Sequence, residues 1–358
     1  MVTPCYNSSA TLGETIASVA RQTYPHIEHI VVDDGSTDAT WELVAQHRDR
    51  VNGLRLPGNR GGSFARNRGF ELARGQYLVF LDADDLMGPD AIAALVAAVR
   101  DRQGTVGYCG WRRWREIQGQ WQAFPAEIPP VQPDQDPLRG WLEGVWVPPC
   151  AILWRRDSYE VSGGWDERLS LNDDGDLMMR ALARGVRLVR AEGGESYYRE
   201  HHGSQLTVSN DVTSERKFQS RVRSYRNLME ELTRQGRLSE YTLPLGLLFH
   251  QLAEFAFREG YPDSARECLT LGHQLVGPRA VSRSWLGRSL TRLLGVERKE
   301  RVLNLLARWG VGGQKRRKAL LLRELHRVAK SPPSGRTDPG GGSTAESETR
   351  TMVRETQG

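Results

Sequence analysis

The apolar residues of this chain change period as the sequence advances, and the changes mark its elements. Residues 2–7 (VTPCYN) read as the end of a strand entering a loop, punctuated by Pro4 and Asn7. Leu12, Ile16, Val19 and Ala20 then recur at helical spacing over 12–22. A β-branched run at 27–32 (IEHIVV) stops at Asp33 and Asp34; a helix is expected over 37–49 and a short strand over 51–56. This β-α-β-α-β order predicts an α/β fold, a mostly parallel sheet flanked by helices, with ligands at the carboxyl ends of its strands. Further on, 151–154 reads as a strand, 157–163 as a short helix, and an apolar helix is expected to begin near Leu177. Amphipathic helical spacing returns over 214–236 and 242–276, then in basic form over 298–309 and 315–329. Residues 331–358, rich in Gly, Ser, Thr, Pro and Glu, predict disorder.

The chemistry concentrates where apolar runs end in acids. Residues 77–85 (YLVFLDADD) read as a buried strand that opens into Asp82, Asp84 and Asp85. Like charges this close raise one another's pKa values unless a cation lies between them, and hard oxygen donors suit magnesium or manganese better than zinc. The competing reading is an acidic cap on the helix expected over 89–100. Residues 59–75 (NRGGSFARNRGFELARG) form a glycine-rich turn that becomes helical, with Arg66 and Arg68 near its start, where an arginine could bind phosphate; the Lys and Ser/Thr of a Walker loop are missing. A second acidic centre, Asp173, Asp174 and Asp176, precedes the helix expected at Leu177. Trp111, Trp114, Trp121, Trp141 and Trp146 cluster between 104 and 149; most are read as packing, with Trp146 kept as a candidate for stacking on an acceptor sugar.

Four segments in this order, VTPCYN, VVDDGSTDAT, NRGGSFARNRGFELARGQYLVFLDADD and GGWDERLSLNDDGDLMMRALARG, resemble the inverting family 2 glycosyltransferases of GT-A fold. The resemblance spans roughly residues 1–207 and implies a Rossmann-like catalytic domain over 1–213 followed by a helical extension. It places Pro4, Tyr6 and Asp34 at the nucleotide base, Arg66 on the nucleotide, and Asp82 at the ribose or sugar. Asp82–Ala83–Asp84 matches the DxD signature, so Asp84 is expected to hold Mn2+ or Mg2+ at the donor diphosphate. Asp174 matches the general base that deprotonates the acceptor hydroxyl; Asp173 stands where the family usually has Glu. Residues 198–204 (YREHHGS) resemble the closing motif and assign a further metal ligand to His201. In the family the first strand starts several residues earlier, so Met1 is expected to be a late start or the strand to be frayed.

The implied activity moves a sugar from a nucleotide-diphosphate donor, UDP-linked by expectation, to a glycan, lipid-linked or protein acceptor. Two alternatives are a non-catalytic nucleotide-sugar-binding scaffold and a haloacid dehalogenase-type phosphatase using LDADD. The phosphatase motif opens its domain and carries Thr or Val where Leu86 stands, whereas here it follows several βα units.

Charge changes the picture at the carboxyl end. The net charge of +5 is uneven: 277–330 holds fifteen Lys or Arg against three Glu, and everything before it sums to −6. Such an extension suits an anionic membrane surface or an acidic protein; no aromatic-interleaved reader motif points to nucleic acid. The expected organisation is 1–213 catalytic, 214–330 helical and basic, and 331–358 tail. No apolar run is long enough to span a membrane and no basic-then-apolar leader is evident, so the expected location is cytoplasmic, with peripheral contact at the inner face of the membrane. Four cysteines without CxxC spacing are read as buried reduced thiols.

Overall fold

The computed structural model describes residues 1–127, 136–200 and 214–277, with single helical positions at 295, 298 and 302. Chain order begins with β1 (Val2–Cys5), α1 (Leu12–Ala20), β2 (Ile30–Asp33), α2 (Thr40–Gln46), β3 (Asn52–Arg55) and α3 (Gly62–Leu72). These make a three-stranded parallel sheet in the order β1-β2-β3, as the alternating strand and helix pattern predicts. Every residue of β1 and β2 is buried, which is why these strands read as continuous apolar runs.

Next come β4 (Tyr77–Leu78), β5 (Leu86–Met87), α4 (Ala91–Val99), β6 (Thr105–Ile117), β7 (Gln120–Ala123), α5 (Pro137–Leu142), β8 (Ile152–Arg155), α6 (Arg156–Ser162), α7 (Asp173–Ala183) and β9 (Arg187–Glu200). Their strands form a second, mixed sheet in the order β4-β8-β6-β9-β5, with β7 hairpinned onto β6. Only the β6–β9 pairing in it is parallel among the described residues. Helix α4 is apolar on all sides, and it packs on β6 and β9.

The acidic strand joins the two sheets. Val2 donates its N–H to the Val79 carbonyl at 2.9 Å and accepts from Leu81 N at 3.0 Å, a parallel bridge that seats 79–81 beside β1. The ends of β2 and of this segment therefore open on one edge, and both carry acids. A cavity of about 240 Å³ opens at the other end of the strands, lined by Met1, Tyr24, Ile27, Tyr77 and Leu153 among others, away from the acids.

Three long helices complete the compact unit Met1–Arg301: α8 (Glu215–Arg234), α9 (Leu238–Glu259) and α10 (Pro262–Val276). Helix α8 is fastened to the loop before α7. The Ser220 hydroxyl accepts from Ser170 N (2.8 Å) and Leu171 N (3.0 Å), and Asn227 Nδ2 donates to Asp166 Oδ2 (2.9 Å) and Asp176 Oδ1 (2.8 Å). Val302–Gly358 forms a separate unit, described only at Val302. The basic helices expected over 298–309 and 315–329 and the tail over 331–358 lie outside the described residues, apart from helical positions at 298 and 302. All four cysteines are buried and free. Among the described residues no helix is long and apolar enough to cross a membrane.

Gly69 sets how closely α3 approaches the sheet: a Cβ there would lie 2.3 Å from Val2 Cγ1 and 3.2 Å from Val32 Cγ2. Gly69→Ala is therefore expected to destabilise the domain by about 1–3 kcal/mol, the usual cost of overpacking, read as a lower midpoint in urea unfolding.

Candidate active site

Helix α3 delivers the residue that assembles the site. It starts at Gly61, whose φ of +100° is open to glycine, and the preceding turn is held by Asp34: Arg60 N donates to both carboxylate oxygens at 3.0 Å and Gly61 N to Oδ2 at 2.7 Å. Burial pushes the Asp34 carboxyl above its ordinary range, against the pull of those backbone donors. Asp34, read from sequence as an acceptor for a base N–H, thus spends part of its hydrogen-bonding capacity shaping the glycine-rich turn.

Five residues into the helix, Arg66 is 8% exposed and makes two ion pairs. Nη2 meets Asp82 Oδ1 at 2.6 Å and Nη1 meets Asp173 Oδ2 at 3.0 Å, while the guanidinium lies 4.4 Å from the Trp165 ring centroid. The Ser63 hydroxyl adds a bond to Asp173 Oδ2 at 2.9 Å. Burial alone would lower the Arg66 pKa, but Asp82 and Asp173 outweigh it and hold the charge in place. Burial pushes the Asp82 carboxyl up; Arg66 pulls it back and Asp84 adds to the push.

The acid loop is also gripped from β9. Arg199 N donates to Asp85 Oδ1 at 2.8 Å, Arg199 Nε to the Asp84 carbonyl oxygen at 2.7 Å, and Nη2 pairs with Glu14 at 2.5 Å. Its guanidinium lies over Trp114 and Trp121, 4.5 and 4.6 Å from the ring centroids. These two tryptophans thus flank a buried arginine, whereas Trp111 and Trp141 are core. Asp85 does not cap α4; it is 1% exposed and pins β9, with its pKa raised well above the ordinary range by burial and then by Asp84.

The second acidic centre differs from expectation in one respect: α7 begins at Asp173 rather than near Leu177, so the acids occupy its first turn. Asn172, left-handed at φ 60° and ψ 30°, turns the chain there, and a Cβ at Gly175 would meet Asn172 Oδ1 at 2.5 Å. Asp176 is fully buried on Arg180 and Asn227 and is structural. Half-buried Asp174 accepts from Trp146 Nε1 at 3.1 Å. Burial, and then the neighbouring Asp173, raise its pKa to about 6.

Of the other residues singled out in the sequence, Pro4 is buried in β1, Tyr6 is 42% exposed in the turn after it, and Asp84 is half-buried in the acid loop. His201 lies outside the described residues. Among the described residues no three His, Cys, Asp or Glu side chains converge as a metal cage. Asp82 and Asp84 nonetheless fit a hard divalent ion as a partial set: they present only carboxylate oxygens, and Asp82 remains incompletely neutralised by Arg66. Ser63, Trp165, Arg199 and the pairing role of Asp173 were not anticipated. Trp165 and Arg199 do sit in quoted motifs, GGWDER and YREHH, but no local pattern reveals a partner distant in sequence.

Comparison with known proteins matches residues 1–161 to the sequence profile described as "Glycosyl transferase family 2". Over these residues, just under half of its length, the chain is similar to family 2 glycosyltransferases. Glycosyltransferase GlyG of Streptococcus pneumoniae serotype 4 is 32% identical over 122 residues, 33% of this chain and 40% of that protein. An Escherichia coli protein, UDP-Glc:alpha-D-GlcNAc-diphosphoundecaprenol beta-1,3-glucosyltransferase WfaP, is 26% identical over 209 residues, covering 57% of this chain and 78% of its own length. The chain spans under half the length of several other curated relatives it matches. Among solved structures, S. aureus TarS 1–349 in complex with UDP-GlcNAc superposes with a TM-score of 0.53 at 16% identity, over 82% of this chain and 90% of that one. The sheets flanked by helices are therefore similar in fold to this GT-A structure, and a helical carboxyl-terminal region follows them.

Removing Arg66 leaves Asp82 and Asp173 as like charges without their shared counter-ion. Arg66→Leu is expected to cost about 3 kcal/mol at pH 8, in the range for breaking a buried pair. The sign of its pH dependence follows from Asp82, which Arg66 pulls down against burial: without Arg66 its pKa rises further in the folded variant, so the penalty shrinks as pH falls. Urea unfolding at pH 8 and at lower pH reads the difference.

Proposed function

We propose that this chain is an inverting, metal-dependent glycosyltransferase that moves a sugar from a nucleotide-diphosphate donor to an acceptor hydroxyl. The observation that carries the reading is the Arg66 bridge, which joins the acid loop at Asp82 to the Asp173–Asp174 turn in one cleft. The family profile supports it, and the printed name of WfaP, a UDP-Glc enzyme acting on a diphosphoundecaprenol-linked sugar, favours a UDP-sugar donor and a lipid-linked or glycan acceptor.

In this reading Pro4 and Tyr6 pack the base, Asp34 and the turn it shapes border the nucleotide, and Asp82 faces the ribose or sugar with Arg66 beside it. Asp84 and His201 would hold Mn2+ or Mg2+, which when bound neutralises charge on the leaving diphosphate. Asp174 takes the proton of the acceptor hydroxyl; that oxygen bonds to the anomeric carbon from the opposite face while the bond to the diphosphate oxygen breaks, its electron pair leaving with the nucleotide. A pKa near 6 leaves Asp174 charged and ready as a base at neutral pH. Contact of the basic stretch 277–330 with an anionic membrane is proposed on its charge alone.

A thermal-shift screen of nucleotide sugars with manganese tests the donor; a ligand at a hundred times its Kd adds about 2.7 kcal/mol. With the donor so found, Asp84→Ala is expected to lose the metal-dependent shift. Asp174→Asn is expected to keep the shift while turnover falls roughly 10²–10⁴-fold. Because the base must be deprotonated, wild-type turnover should fall as pH drops through about 6. Donor binding without transfer or hydrolysis by the wild type would favour the binding-scaffold reading instead.

A further inference from the structure

Trp146 lies in the link between α5 and β8, just before Pro148 and Pro149, and it is half-buried. Two rings hold it edge-on: Trp111 of β6 at 5.1 Å and 89°, and Tyr198 of β9 at 5.3 Å and 82°. Trp111 and Tyr198 meet each other at 6.2 Å, closing a cage of three aromatic side chains. A ring packed on two sides has little rotamer freedom, so its N–H points where the cage sends it. That direction is the carboxylate of Asp174, with Nε1 to Oδ2 at 3.1 Å.

We propose that Trp146 is the positioning residue of the base: its indole N–H fixes one oxygen of Asp174 and leaves the other to meet the acceptor hydroxyl. This rests on the reading of Asp174 as the base. Indole nitrogen is only a donor, so the bond also selects the ionised carboxylate over a protonated one that would offer its own hydrogen. The charged and titratable groups around Asp174 are Asp173 on its own helix, Arg66 on α3 and Tyr225 on α8; the Gly175 backbone N–H is a second donor. None of these is held by the cage. Trp111, by contrast, keeps its own indole nitrogen buried with no hydrogen-bond partner, so what it supplies to the cage is packing.

Two measurements on the whole chain decide the matter. In the first, tryptophan is labelled with 15N and the indole resonances are followed from pH 5 to 8. The Trp146 signal, assigned by its loss in Trp146→Phe, should move with a midpoint near 6 and stay fixed in Asp174→Asn. A signal that does not move, or that moves equally in Asp174→Asn, overturns the proposal without any substrate being known.

The second follows UDP release from whichever nucleotide sugar stabilises the protein. Trp146→Phe should bind the donor as before, turn over roughly tenfold or more slowly, and show its acid limb above that of the wild type. The upward shift follows because a hydrogen bond that favours the charged form has been removed. Wild-type rate and limb in Trp146→Phe would overturn the proposal. Full turnover by Asp174→Asn would instead sink the base assignment, whatever the indole resonance does.

Discussion

One guanidinium group decides the layout of this site. Arg66 reaches Asp82 with one amino group and Asp173 with the other, linking residues 91 positions apart in sequence through a helix that belongs to neither acid's segment. A lysine would hold the two acids less firmly, since its ammonium lacks the rigid planar fork that presents a separate amino group to each carboxylate. The bridge sits over Trp165 and is mostly sheltered from water, so its attraction is weakly screened and its absence would leave like charges facing each other. The rest of the domain keeps this side chain in place. Gly69 lets α3 close on β1 and β2, and Asp34 fixes the turn from which α3 starts.

The acid loop needs a second restraint because Arg66 neutralises only part of it. Arg199 supplies that restraint: its Nε donates to the Asp84 carbonyl oxygen, and its backbone N–H donates to Asp85 Oδ1. The carboxyl end of β9 is thereby brought to the loop. The arginine's charge is itself balanced by Glu14 and by the two indole faces, which lets it be buried without adding a free cation to a cleft proposed to take one.

The sequence was most readable where one period governed a whole element. Parallel β1, β2 and β3 and their helices follow from β-branched runs and helical spacing, within a few residues at each end. The mixed second sheet was less readable, because β4 and β5 are two residues each and owe their existence to partners, not to propensity. The acids at 82–85 and 173–176 stood out as charges ending apolar runs. What no local pattern shows is the division of labour among them: Asp85 and Asp176 are buried and pin β9 and α8, while Asp82, Asp173 and Asp174 face one another around Arg66. Trp146 was noticed as a ring; its N–H bond to Asp174 depends on a cage drawn from two strands and a loop, and no spacing rule encodes that.

The family profile ends at residue 161, before either Asp173 or Asp174. The portion it covers holds Pro4, Asp34, Arg66, Asp82 and Asp84, all residues assigned to the donor side. The proposed base comes from the stretch beyond it, and there the fixing contacts are of another kind. Ser220, Ser224 and Asn227 of α8 bind the loop at 170–172, Asp166 and Asp176, so a helix outside the matched region sets where α7 begins. A carboxylate at a helix start moves with that start, by about 1.5 Å for each residue the helix gains or loses. The position of Asp174, the proposed base, is consequently as much a product of α8 as of the sheet.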